Sequence, residues 1–288
     1  MEKLYEIKNL KCSYARRYRE GISKYVLHID NLSIPKGKKI FIVGESGIGK
    51  STILEVLGLM NNTIVSSEDT VFHFFDKDAR AIDVINLWKK NSDRVLSKFR
   101  RDHFNFIFQN TNLMKNFTAY ENISITRMLQ GYTRYSSFRK ANKVLNHLGL
   151  SHINEKKMAT ELSGGQQQRL AFARAIIPDF TVLFGDEPTG NLDGDNAVKA
   201  MELLTSKLAE LQNSSAIIVS HDMHLAVSFA DVIVKISKRA HSKRENDDEE
   251  TYYGHVDSSC VYEKVNDRWT NGNQEYDDNG FVNFLKQN

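Results

Sequence analysis

Nine consecutive residues, Gly44-Glu45-Ser46-Gly47-Ile48-Gly49-Lys50-Ser51-Thr52, set the strongest limit on what this chain can fold into. They follow an apolar run at residues 39–43 and open a helical pattern at residues 50–59. A strand, a glycine-rich turn and a helix in that order are the setting of a phosphate-binding P-loop. The glycines let backbone N–H groups converge on phosphate oxygens with no side chain in the way. The helix N-terminus adds partial positive charge. Lys50 supplies a mobile cation to the β- and γ-phosphates, and the Ser51 hydroxyl is placed to ligate Mg²⁺. The plainer alternative is a glycine-rich turn before a core helix.

Three more apolar runs end at polar segments: residues 104–108 before Gln109, 181–184 before Gly185-Asp186, and 216–219 before Ser220-His221. Continuous apolar strands suit a mostly parallel sheet covered by helices on both faces, so the class expected is α/β. Ligands of such sheets bind at the carboxyl ends of strands, where all four polar segments lie. Helical patterns fall between the runs, at residues 138–148 and 166–177. The first 40 residues differ, because residues 4–10 and 25–34 alternate like half-buried antiparallel strands. Residues 238–250 are dense in charge and read as an exposed loop. Beyond them, residues 252–265 and 268–276 read as strands, the latter broken by the turn pair Asn271-Gly272, so residues 251–288 are expected to form a hairpin-like extension.

Composition excludes several classes. The 288 residues hold only two cysteines, Cys12 and Cys260, too few for a disulfide scaffold or a four-cysteine zinc site. A net charge of +3 gives no reason to expect nucleic acid as a partner. No apolar run approaches the roughly 18 residues of a membrane span. The N-terminal residues lack the apolar stretch of a secretory signal, so a cytoplasmic location is expected.

Leu162-Ser163-Gly164-Gly165-Gln166 precedes a strong helical pattern. Ser163 can cap that helix, and the glycines leave backbone donors open beside it, a second phosphate-binding surface. One P-loop has no use for a second such surface unless another chain supplies the nucleotide. With these residues in view, the chain resembles the nucleotide-binding domain of ATP-binding cassette proteins from about residue 4 to residue 236. The resemblance implies a P-loop NTPase core in an ATPase domain at residues 1–237. It also implies an N-terminal antiparallel β subdomain and a helical signature-motif subdomain at about residues 110–165. ATP and Mg²⁺ are the implied cofactors, held in a head-to-tail sandwich with a second copy of the chain.

Thr181-Val182-Leu183-Phe184-Gly185-Asp186-Glu187 is a strand ending in paired carboxylates. Asp186 is expected to orient Mg²⁺ and Glu187 to accept a proton from the attacking water. Gln109 resembles the family glutamine that reaches the Mg²⁺ and the water, and His221 the switch histidine that donates to the γ-phosphate. Asp193, in Asn191-Leu192-Asp193, resembles the residue that touches the partner's P-loop; a helix N-cap is the alternative. Tyr14 is the leading candidate to stack on adenine, with Tyr18 and Tyr25 competing across a stretch at residues 15–24 that reads as a loop insertion.

Residues 186–193, 106–109 and 117–123 resemble the class of lipoprotein-release, macrolide-export and cell-division transporter ATPases. Two stretches depart from that class, one at residues 66–91 and one beyond Ser237. The function expected is an ATPase subunit energising a membrane transporter or mechanotransmission complex, peripheral on the inner face of the membrane and paired with separate permease subunits. A soluble regulator of the same ATPase type is the alternative.

Overall fold

The computed structural model of this protein describes residues 2–14, 25–90, 92–241 and 251–287. Two compact units divide the chain, Met1–Arg100 with Val219–Asn288, and Arg101–Ile218.

The first unit opens with β1 (Lys3–Cys12) and β2 (Leu27–Pro35), paired antiparallel with Ile7 opposite Leu32 and Leu10 opposite Ile29. Side chains alternate between core and solvent, as the expected half-buried strands require. The phase changes at Asn9, whose φ of 45° shifts burial from Tyr5 and Ile7 to Leu10 and Cys12. β3 (Lys39–Val43) then runs through the glycine-rich loop into α1 (Lys50–Leu57). β4 (Ile64–Val65), β5 (Val71–Phe75) and β6 (Ala81–Asp83) extend the antiparallel sheet, followed by α2 (Val84–Lys90) and α3 (Asp93–His103).

Within the stretch unfamiliar in sequence, β5 and β6 therefore extend the N-terminal sheet. Phe74 stands opposite Tyr5 in the ladder, with ring centroids 5.2 Å apart. The Tyr5 hydroxyl donates to the Leu57 carbonyl at 2.9 Å, which ties the end of α1 to this sheet. Complete burial pushes the Tyr5 phenol well above its ordinary pKa, so that donor keeps its proton.

The second unit contains β7 (Phe104–Ile107), α4 (Ala119–Leu129), α5 (Arg134–His147), α6 (Gly164–Ile176), β8 (Val182–Asp186), α7 (Gly194–Leu211) and β9 (Ser215–Val219). β7 and β8 are parallel, and Phe106 lies opposite Phe184 with the rings stacked at 5.2 Å. β9 is buried at every position, the pattern of a strand covered on both faces. α4 packs on α5 and α6 and starts in a capping box between Thr118 and Glu121.

The chain returns to the first unit as α8 (Met223–Phe229), β10 (Val232–Lys235), β11 (Ser237–Ala240), β12 (Tyr252–Val256), β13 (Val261–Val265), β14 (Arg268–Thr270), β15 (Glu275–Tyr276) and α9 (Asp278–Lys286). β10 is parallel to β3 and antiparallel to β13.

The hairpin-like reading of residues 251–288 covers only part of this. The turn at Asn271-Gly272 does join β14 to β15, but β12 pairs with β2 in the other sheet, and a helix follows β15. α9 buries Phe281, Val282 and Leu285 over Trp269, whose indole stacks on Phe281 at 4.9 Å and donates to Asp278 at 2.9 Å. The expected charged loop also begins later than residue 238. Residues 238–240 belong to β11, which pairs with β12 through its backbone while its charged side chains face water. Residues 242–250 and the expected loop insertion at 15–24 lie outside the described residues.

β12 presses directly on the glycine-rich loop. The Gly254 N–H donates to the Val26 carbonyl at 2.9 Å. A Cβ built on Gly254 would collide with the Ile48 carbonyl and stand 2.9 Å from Ile236. Gly254→Ala should therefore lower stability by about 1–3 kcal/mol, the usual range for overpacking. Thermal melts of the two proteins test this, and an unchanged Tm would show that the contact is looser than described.

Candidate functional site

On the first unit, the loop at residues 44–49 joins β3 to α1. Gly49 caps α1 with φ 101°, a conformation that L side chains resist, and a Cβ there would stand 3.3 Å from the Val26 carbonyl. Lys50 folds back over the loop, its Nζ donating to the carbonyls of Gly44 at 2.9 Å and Glu45 at 2.6 Å. Ile48 and Thr52 are buried, whereas Ser46, Gly47 and Ser51 are exposed. The Glu45 carboxylate pairs with Lys238 of β11 at 2.9 Å. That hydrogen bond, strengthened by the opposite charge, raises the Lys238 pKa.

Tyr14 stands beside α1, its hydroxyl 3.0 Å from Thr52 Oγ1 and 3.2 Å from Glu55 Oε2. Half of its surface, 52%, is open to solvent. Tyr25, the competing candidate, is engaged elsewhere, edge-on to His241 and Tyr253 at 4.6 Å each. Tyr18 lies outside the described residues. His221 is exposed just beyond β9, one residue before Asp222, which caps α8 by accepting from the Leu225 N–H at 3.0 Å.

On the second unit, Gln109 is exposed two residues past β7. Asp186 is the last residue of β8. Glu187 follows with φ 48°, left-handed for a side chain that normally avoids it. Such a conformation costs about 1–2 kcal/mol. The Gly190 N–H donates to the Glu187 carbonyl at 3.1 Å and helps hold the turn. This turn is a feature of the site that the residue pattern alone did not reveal.

Ser163 caps α6 in a reciprocal box. Gln166 N donates to Ser163 Oγ at 3.4 Å, and Ser163 N donates to Gln166 Oε1 at 2.9 Å. Arg169, overlooked in the sequence, braces this segment by donating to the Leu148 carbonyl at 3.0 Å and to Asn196 Oδ1 at 3.2 Å. Asp193 does cap α7, accepting from the Asn196 N–H at 2.9 Å and the Asn196 amide at 2.7 Å. The backbone N–H of Asn196, with its side chain second, holds the Asp193 carboxyl below the usual carboxylate range. The capping alternative for Asp193 is thus a fact of the fold, to which a contact with a second chain would be additional.

The segment after Gln109 is pinned from two sides. Arg174 donates to the carbonyls of Thr111 at 3.0 Å and Asn112 at 2.8 Å. Buried Asn122 accepts from Met114 N at 2.8 Å and donates to its carbonyl at 3.0 Å. An open groove of about 430 Å³ runs along this segment, lined by Thr111, Leu113, Lys115, Thr160 and Gln167 among others.

Comparison with known proteins bears on the family and the fold. The family described as ABC transporter matches residues 27–190. The lipoprotein-releasing system ATP-binding protein LolD of Colwellia psychrerythraea is 36% identical over 216 residues, covering 75% of this chain and 78% of that protein. The macrolide export ATP-binding/permease protein MacB of a Shewanella species is 38% identical over 212 residues, but this chain spans only 30% of it. Among solved structures, the dimeric bacterial ABC transporter cassette MJ0796 aligns with TM-score 0.65 and 29% identity, over 80% of this chain and 93% of that one. A post-hydrolysis dimer of the same cassette, bound to ADP and Pi, aligns equally well at 30% identity.

A Cβ added at Gly164 would meet nothing within 4 Å, and Gly164 opens a helix. The fold therefore has no need of glycine there. Gly164→Ala should leave Tm unchanged or raise it, by up to about 1 kcal/mol of helix stability. A clear fall in Tm on thermal unfolding would show that the glycine serves the fold itself.

Proposed function

We propose, from the premise that this chain belongs to the ABC transporter family, that it is the ATP-binding and ATP-hydrolysing subunit of a membrane transporter. One observation supports this reading above the rest. The chain has two segments suited to phosphate, a glycine-rich loop with its lysine and a capped helix whose first residues are bare glycines. Glycines that the fold does not need, on the open end of a helix, suit the close approach of a nucleotide held by a second copy.

In this reading, residues 44–52 bind the phosphates of ATP, with Lys50 compensating charge on the β- and γ-phosphates. Ser51, Asp186 and Gln109 would hold Mg²⁺, which would neutralise charge on the phosphate oxygens. The donor set fits such an ion, since a hydroxyl, a carboxylate and an amide oxygen are the hard ligands it prefers. Glu187 takes the proton of the attacking water, from a left-handed backbone turn just past β8. His221 donates to the γ-phosphate, Tyr14 stacks on adenine, and Ser163–Gln166 with Asp193 complete the site of the partner copy.

No helix among the described residues is long and apolar enough to cross a membrane. A translocation path would then come from separate permease subunits, with this chain on the cytoplasmic face. The names of the relatives, one releasing lipoproteins and one exporting macrolides, favour transport over a soluble regulator. The groove behind Gln109 is the docking place for a permease helix, because residues joined to Gln109 move when the γ-phosphate leaves.

Glu187→Gln should keep ATP binding and reduce hydrolysis by about 10²–10⁴-fold, the usual loss for a general base. Light scattering on that variant should show monomer without nucleotide and dimer with ATP and Mg²⁺. Wild-type turnover, or a strict monomer hydrolysing at full rate, would overturn the assignment. Leu113→Asp should abolish co-purification with a polytopic membrane protein from host membranes while ATP binding by the isolated chain persists. Retained membrane recruitment would move the docking surface elsewhere.

A further inference from the structure

Outside the ATP site, strands from opposite ends of the chain bring together two imidazoles and a carboxylate. β12 pairs parallel to β2 with His255 directly opposite His28, and Asp30 lies two residues along β2 on the same face. Asp30 Oδ1 is 2.9 Å from His28 Nε2, and Oδ2 is 2.7 Å from His255 Nε2. The three ligand atoms all lie within 4.8 Å of one another. His255 is 1% exposed and held in place, its Nδ1 being 3.5 Å from Ser237 Oγ and 3.8 Å from Asp257 Oδ2.

We propose that His28, Asp30 and His255 form a binding site for a divalent transition-metal ion, zinc above all, that fastens β12 to β2 behind the P-loop. Two histidines and one carboxylate are a ligand set suited to such ions, with a fourth position left for water. Ligand atoms around a tetrahedral zinc stand about 3.3 Å apart. The 2.7 and 2.9 Å separations require the carboxylate to withdraw by about half an ångström. Asp30 can do so, since its side chain is nearly half exposed. The contacts behind His255 are those that orient a ligating histidine, a second polar group at the ring nitrogen turned away from the ion. Lys11 lies opposite His28 on β1, and its ammonium is drawn aside over the Tyr25 ring at 5.4 Å. Asn9 Oδ1, 3.4 Å from His28 Nε2, adds a further oxygen at the rim. An ion here would hold His255 and, through it, the neighbouring Gly254 that packs on the Ile48 carbonyl.

The test uses the full untagged chain, stripped with chelator and free of nucleotide, so that its outcome is independent of the ATPase reading. Zinc is titrated by calorimetry, and cobalt by its visible absorption. One equivalent of each should bind, with the intense bands of low-coordinate cobalt. Asp30→Asn and His28→Gln should weaken binding at least 10-fold, and His147→Gln, a histidine of the second unit, should leave it unchanged. Zinc should raise the Tm of the wild type and not that of Asp30→Asn. Because Asp30→Asn and His28→Gln alter exposed or half-buried side chains, circular dichroism identical to wild type is expected for both. No binding by the wild type, or equal affinity in the wild type and both variants, would overturn the proposal.

Discussion

An open loop of backbone donors must be kept from collapsing onto itself, and in this chain the glycine-rich loop is kept open by pressure from behind. Gly49 faces the Val26 carbonyl, a Cβ on Gly44 would stand 3.1 Å from the Ile236 carbonyl, and Ile48 takes the contact with Gly254. The three backing residues come from β2's approach, the step between β10 and β11, and the middle of β12. Each contact is close because one partner lacks a Cβ, so the loop's shape depends on absent atoms as much as on present ones. Lys50 adds a last restraint from inside, bridging two loop carbonyls.

Strain and capping are distributed unevenly around the candidate site. The glycines at the start of α6 sit in relaxed helical geometry with space around them, whereas Glu187 is held in a conformation that its side chain disfavours. Neither the unneeded glycines nor the strained glutamate is easy to explain by folding alone. Both fit a surface shaped around a ligand, where a close approach needs the missing side chain and a carboxylate must leave the direction of its strand. Asp193, by contrast, already serves the fold as the cap of its helix.

How much of this was legible in the sequence varied with the kind of signal. The apolar runs that became β3, β8 and β9 were visible because strands buried on both faces need no alternation, and residues 39–43 coincide with the strand observed. The P-loop was visible through glycine and lysine spacing. Two kinds of element were hidden. β11 was masked by charge, since Lys238 and Arg239 read as loop although their backbones are paired to Gly254 and Tyr253. α9 was hidden by brevity, its Phe281, Val282 and Leu285 making one apolar stripe on nine residues. The φ of Glu187 and the pairing of His28 with His255 could not be read at all, because both depend on where distant segments come to rest.

The pressure of Gly254 on Ile48 has a temporal side. These residues are separated by most of the chain, and during synthesis the loop leaves the ribosome long before the strand that backs it. Until residue 254 has emerged, the loop has its own helix, the approach to β2 and Ile236 to shape it, but not the wall that β12 supplies. A nascent chain of this protein therefore completes its nucleotide-facing surface last, and a transcript broken off before β12 yields a cassette with every P-loop residue present and the wall behind them missing.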